Sequence, residues 1–374
     1  MTKTALDDLM MSPGTPFWLR PLGLVRGAVA HDAITAGEAL PLLGETGRGF
    51  LLVEIVMRNP EGELGMRSRA ATLAEGRRWA AAHDAAERFA AQLEALREPR
   101  PPWAALDLGT PRIMGIVNAT PDSFSEGGAH HRAEAAIAHG QALLASGADL
   151  LDIGGESTRP GATPVDAAEE IRRVEPVIRG LANLGAVLSI DTHHAATMEA
   201  ALAAGARIIN DVSALTADPG SLAVAARSGA PVILMHKRGE PPTMQEGAAY
   251  ECAPLDVLDY LVARVAACAA AGIPRSRIVV DPGIGFGKRS SHNLQILARL
   301  SLLHLTGCPV LLGASRKSLI ASRIDPGIEP RERLPSSLVA AVRALDQGVQ
   351  ILRVHDVAQT WQAIEVWRGI SGAG

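Results

Sequence analysis

From residue 109 onward the sequence repeats one alternation: a short apolar run, then a longer stretch with apolar residues three and four apart. The runs are RIMGIVN (112–118), LLDIGG (150–155), AVLSIDT (186–192), IINDVS (208–213), PVILMH (231–236), IVVDPG (278–283), PVLLGAS (309–315) and ILRVHDV (351–357). Between them lie segments such as AEAAIAHGQALLASG, AAEEIRRVEPVIRGLANLG and LDVLDYLVARVAACAAAG. Three- and four-residue spacing marks helices with one buried face; short unbroken apolar runs mark strands buried on both faces. A strand–helix–strand repeat makes successive strands parallel. Eight such units predict a (β/α)8 TIM barrel over residues 109–374. The alternative is an open doubly wound sheet, which would hold fewer strands and carry its ligand at one switch point. Here polar residues follow nearly every strand, and in a barrel all eight C-terminal ends meet at one mouth.

Residues 1–108 do not share the rhythm and are read as a small N-terminal α/β extension. GFLLVEIVMR (49–58) predicts a strand. Residues 68–97 predict one amphipathic helix, with Trp79, Ala82, Ala86, Phe89, Leu93 and Leu96 on one stripe. EPRPPW (98–103) breaks that helix and reads as a linker. The extension holds no chemical motif, which suits a packing or oligomerisation role. At 47% hydrophobic and 20% charged the chain can bury a large core. A formal charge of −4 with no basic stripe argues against a nucleic-acid partner. No apolar run reaches membrane-spanning length, and MTKTALDDLMMSPG is acidic where a signal peptide is basic and then apolar. Three widely spaced cysteines, Cys252, Cys268 and Cys308, form neither a metal pattern nor an even disulfide framework. These features lead to an expectation of a reduced, cytoplasmic protein.

The strand ends carry the chemistry. The first gives Asn118, Thr120, Asp122 and Glu126, and the second Asp152 followed by Glu156, Ser157, Thr158, Arg159 and Pro160. Asp191, then Asn210 and Asp211, follow strands three and four. Met235, His236 and Arg238 follow strand five, and Asp281, Phe286 and Lys288 strand six. Ser315, Arg316 and Lys317 close strand seven, with Arg353, His355 and Asp356 at strand eight. Buried Asp and Asn are costly without partners, so a ring of them at one mouth suits a flat heterocycle rich in donors and acceptors. Asp191, Asn210 and Asp281 sit where they would line its deep part. Arg159, Lys317, Arg353 and His355 offer cations and donors for a phosphate or pyrophosphate, and Asn118 with a nearby carboxylate suits Mg2+. Each residue alone has a plainer reading: a strand-end Asp can cap the next helix, Lys288 can be a solvated lysine, and the Glu169–Arg173 run can be a solvated helix face. DPGIGFGK lacks the GxxxxGK[ST] spacing of a phosphate loop.

Taken in order, NATPDSFSEGG, DIGGESTRPGA, SIDT, INDVS, MHKRG, DPGIGFGK, GASRKS and RVHDV closely resemble the dihydropteroate synthase family over about residues 110–370. The resemblance implies a TIM barrel that joins 6-hydroxymethyl-7,8-dihydropterin diphosphate to 4-aminobenzoate, releasing pyrophosphate in folate synthesis. It implies Asp191, Asn210, Asp281 and Lys317 as pterin-pocket residues and Met235 against the pterin ring. Arg353 and His355 look like the pyrophosphate anchors, and Asn118 with Glu126 like the Mg2+-linked pair. Thr158, Arg159 and Pro160, with Phe286 and Ser315, would frame the aminobenzoate. It also implies a homodimer and a sulfonamide target. Three positions depart from the family pattern: Ala119 stands for valine, Glu126 for aspartate, and Lys237 for an apolar residue. The rival readings are a pterin-dependent methyltransferase domain, which would not need the GESTRPG, SRK and RVH motifs together, and a non-catalytic pterin-binding paralogue, which would be expected to have lost some of them.

Overall fold

A computed structural model describes residues 6, 9, 12, 14–62, 64–120, 129–156, 165–239, 249–318 and 327–372. The eight expected runs all form strands, and all are parallel: β5 (Arg112–Asn118), β6 (Leu150–Gly154), β7 (Leu188–Asp191), β8 (Ile208–Asp211), β9 (Val232–Met235), β10 (Ile278–Asp281), β11 (Leu311–Leu312) and β12 (Ile351–Val354). Their order is β10-β9-β8-β7-β6-β5-β12-β11. A parallel bridge between Val280 and Val310 joins the two ends into a barrel, with the Val280 amide donating to the Pro309 carbonyl at 3.0 Å. Helices α4 (Ala129–Ala145), α5 (Ala167–Ala182), α6 (Ala195–Ala204), α7 (Ser221–Ser228), α8 (Ala253–Ala270), α9 (Ser290–Leu297), α10 (Leu334–Asp346) and α11 (Val357–Gly372) lie between and after them. Among the described residues no helix is long and apolar enough to cross a membrane. The three cysteines are buried and unpaired.

The extension is an antiparallel sheet built on one long strand, β3 (Glu45–Arg58), which contains the predicted 49–58 run. It pairs with β1 (Trp18–Arg26), β2 (Leu40–Leu42) and β4 (Met66–Thr72). The expected single helix over 68–97 is instead the end of β4, then α2 (Leu73–Ala82) and α3 (Ala86–Arg97). Two local features break it. Thr72 and Glu75 form a capping box that starts α2. Asp84 takes a left-handed backbone, φ 55°, which aspartate tolerates better than most residues. Trp79, Phe89, Leu93 and Leu96 are buried as the stripe requires, but Ala82 and Ala86, on either side of the break, are exposed.

The segment read as a linker is held to the barrel. Trp103 is buried with Leu108, Met114, Leu150, Ile208, Ile233, Val279, Leu311 and Ile351, a cluster at the N-terminal ends of the strands. Its indole N–H donates to the Arg277 carbonyl at 3.0 Å. Arg100 donates to the His304 carbonyl at 2.9 Å. Elsewhere Trp18, Val56 and Met66 join the main barrel core. Arg58 reaches Asp256 and Asp259 of α8 at 2.6 and 2.7 Å, and Arg26 reaches Asp346 at the end of α10 at 2.8 Å. The extension therefore clasps the outside of the barrel, on the helices of its C-terminal half.

Candidate active site

Strand register sets the mouth. Asn118, Gly154, Asp191 and Asn210 are consecutive Cα partners across β5 to β8, so they form one row, and Met235 partners Asp281 across β9 and β10. Asp152 lies one layer deeper and is fully buried.

Arg353, from β12, points into this layer. Its Nε donates to Asp152 Oδ2 at 2.6 Å and its Nη2 to Asp191 Oδ2 at 2.7 Å. Asn210 Nδ2 donates to the same Asp152 oxygen at 3.0 Å. That bond turns the Asn210 carbonyl oxygen away from Asp152. Burial raises the Asp191 carboxyl to about 7, although Arg353 pulls it down. Burial also raises Asp281 to about 6, against the Gly283 N–H that donates to its Oδ1 at 2.7 Å. Burial works against charge on Arg353, but Asp152 and Asp191 outweigh it and hold the guanidinium protonated. Two carboxylic groups poised near neutrality around one fixed cation can accept hydrogen bonds from N–H donors of an incoming heterocycle.

The loop after β11 supplies Ser315 and Lys317 through a turn at Arg316, whose φ of 58° is left-handed. Arg316 is held in it by Asp356, at 3.0 and 2.5 Å, and by Ser337, whose hydroxyl accepts the Arg316 amide at 2.9 Å. Lys317 Nζ lies 4.3 Å from the centre of the Phe286 ring, a cation–π contact. Ser315 Oγ lies 3.1 Å from His355 Nδ1. Burial, reinforced by Arg316 and Arg353, lowers His355 to about 3, so it contributes a neutral imidazole where the sequence suggested a cation.

Two plain readings fail. Lys288 is not solvated: it is fully buried, with Nζ 2.9 Å from His236 Nδ1, and 2.8, 3.1 and 3.1 Å from the carbonyls of Gly283, Phe286 and His236. Burial brings its ammonium down to about 7 and His236 down to about 2. The lysine ties the β10 loop to the end of β9. Gly283 (φ 64°) makes that approach possible, since a Cβ there would lie 2.0 Å from the His236 carbonyl oxygen. The Glu169–Arg173 run is only partly a solvated face: Glu170 is fully buried and accepts from Thr192 Oγ1 at 2.6 Å.

The structure thus brings Asp191, Asn210, Met235, Asp281, Phe286, Ser315, Lys317, Arg353 and His355 to one end of the barrel, with Asn118 in the Asp191 row. Glu126, Thr158, Arg159 and Pro160 lie outside the described residues. Asp152 gains importance beyond its place among the strand-end polar residues. Its signal was an aspartate inside the apolar run LLDIG.

Known proteins are similar to this chain over the barrel. The model of the pterin binding enzyme family matches residues 114–355. The dihydropteroate synthase of Escherichia coli K12 is 45% identical over 263 residues, covering 70% of this chain and 92% of that protein. A Xanthomonas albilineans dihydropteroate synthase structure with 4-aminobenzoic acid is 48% identical with a TM-score of 0.67, covering 71% of this chain and 94% of that one. A second structure of that enzyme, in complex with 7,8-dihydropteroate, is 45% identical with a TM-score of 0.64, covering 71% and 95%. With this identity, this coverage and this constellation at the barrel mouth, the chain belongs to the pterin-binding enzyme family, among its dihydropteroate synthases.

Proposed function

We propose that this chain condenses 6-hydroxymethyl-7,8-dihydropterin diphosphate with 4-aminobenzoate, giving 7,8-dihydropteroate and pyrophosphate in folate biosynthesis. The observation that carries the reading is the convergence of Arg353 on Asp152 and Asp191, beside Asn210 and Asp281, at one barrel mouth.

The reaction breaks the bond between the pterin methylene carbon and the diphosphate oxygen, which keeps the electron pair. The 4-aminobenzoate nitrogen then bonds to that carbon and loses one proton. Asp191, Asp281 and Asn210 accept from the N–H groups of the pterin, with Met235 packed on its face. As the leaving group departs, positive charge spreads over the conjugated ring, and the two carboxylates favour it. Arg353, Lys317 and the neutral His355 hold the diphosphate. Phe286 and Ser315, with Thr158, Arg159 and Pro160, frame the aminobenzoate. Sulfonamides would compete there. No nucleophilic side chain is required.

The Asn118 amide oxygen, in the Asp191 row, is the donor type a hard cation accepts. Asn118 and Glu126 would hold Mg2+, which when bound neutralises charge on the pyrophosphate. The same reading makes the protein cytoplasmic and a homodimer; sedimentation of the purified protein tests the dimer.

The deciding experiment is pyrophosphate release by purified protein with Mg2+, dihydropterin diphosphate and 4-aminobenzoate, omitting each in turn. Release that needs all three, with dihydropteroate formed in step, is expected. Folded protein that binds the pterin but releases nothing would overturn the reading in favour of a binding module or methyltransferase.

A further inference from the structure

Beside the mouth, outside the residues given a role above, Glu156, His193 and His194 come together from the ends of β6 and β7. One carboxylate oxygen and one nitrogen from each imidazole lie within 4.8 Å of one another. Glu156 Oε2 is 3.6 Å from His193 Nδ1. That is too long for a hydrogen bond, but close to the separation of about 3.4 Å between two ligands on one tetrahedral cation with bonds near 2.1 Å. The two rings lie 4.1 Å apart, centre to centre.

The group is already braced from behind. The Val165 amide donates to Glu156 Oε1 at 3.2 Å, and the Val165 carbonyl is 3.1 Å from His194 Nε2. The backbone of one residue therefore orients both a carboxylate and an imidazole. Metal-bound carboxylates and histidines are held by such backbone partners, with the remaining oxygen or nitrogen left for the ion. Ser221 Oγ donates to the His193 carbonyl at 2.9 Å, fixing that residue too. Nearby, the amides of Ala195 and Gly220 hold the Asp218 carboxyl below the usual carboxylate range, so it adds one negative charge.

We infer that Glu156, His193 and His194 form a binding site for a divalent transition metal of the Zn2+ class, with a fourth position open. Two imidazoles and one carboxylate select a borderline cation such as Zn2+ or Co2+ over Mg2+, which prefers oxygen ligands throughout. The ion would lock the residues that flank segment 157–164, Glu156 and Val165, to the start of α6.

The test uses full-length protein, treated with chelator, dialysed and titrated with Co2+. Visible absorption bands of a low-coordinate Co2+ are expected to saturate at one equivalent, to bleach on adding Zn2+, and to persist in excess Mg2+. Glu156→Gln and the half-exposed His193→Gln should each weaken Co2+ binding at least about tenfold. Zn2+ should raise the melting temperature of the wild type and not of a His193→Ala/His194→Ala variant. Bands unchanged in these variants, or half-saturation only above about 1 mM, would overturn the site. Cooperative melting of each variant in metal-free buffer separates lost binding from lost folding, and these optical and thermal readouts stand whether or not the protein releases pyrophosphate.

Discussion

Arg353 and Asp152 are 201 residues apart in the chain and meet at 2.6 Å beneath the barrel mouth, where the same guanidinium also takes Asp191. A buried carboxylate such as Asp152 is tolerated only with a partner. The cation proposed to hold the diphosphate is therefore also the one that lets the carboxylate layer beneath the mouth fold.

Arg353→Ala should cost about 3–5 kcal/mol at pH 8, because it leaves buried charge unpaired. The cost should shrink at pH 5, where the Asp191 carboxyl, raised to about 7, takes a proton. Urea denaturation at the two pH values checks this; an equal cost at both would show that packing, not charge, dominates.

Asp281→Asn should trade activity for stability. Burial raises the Asp281 carboxyl from 3.8 to about 6, so the folded state binds its proton more tightly than the unfolded chain does. Its contribution is full below pH 3.8 and is lost as pH rises through about 6. The amide should thus be the more stable protein at pH 8, by up to about 3 kcal/mol, and equal to wild type near pH 4. Pterin binding should fall at least tenfold. Thermal melts across pH, with titration calorimetry, read both.

Lys288→Met should destabilise by about 3 kcal/mol or more, since it strips a donor from two buried carbonyls and a partly buried one at once. Because one of these carbonyls belongs to Phe286, KM for 4-aminobenzoate should rise in whatever protein folds. A stable variant with unchanged KM would mean that the loop is held by its backbone alone.

Removing residues 1–105 should yield insoluble protein. The deletion takes away Trp103, which plugs the barrel floor, and Trp18, Val56 and Met66, which share the barrel core. Trp103→Ala in the full chain should cost about 3–5 kcal/mol. A soluble, active barrel from the deletion would show that the floor seals without the tryptophan.

Much of this architecture was legible in the sequence. Each of the eight apolar runs became a strand, because a parallel strand buried on both faces leaves a continuous apolar signature. Their ends were not: PVLLGAS shrank to Leu311–Leu312, with Pro309 offering no amide to the ladder. β4 was invisible because MRSRAAT is polar, and most of its side chains stay partly or fully exposed. Asp84 split a helix that periodicity alone reads as continuous. Lys288 and Glu170 were misplaced for one reason: a charged side chain suggests solvent, and nothing local in the sequence reveals the acceptors or the hydroxyl donor that a fold brings to it. The arginines that fasten the extension to the barrel carry no pattern at all, since their partners lie hundreds of residues away.

The clasp also bears on the order of assembly. The sheet of the extension pairs strands within residues 18–72, so it can form from neighbouring chain. The barrel ring instead needs β5 to find β12, starting at Ile351, and contacts that distant in sequence form slowly. The early-forming sheet carries Arg58 for α8 and Arg26 for Asp346 and Ser371. It can therefore serve as a template on which the last helices dock, gathering them before the ring closes and lowering the kinetic barrier of the slowest step.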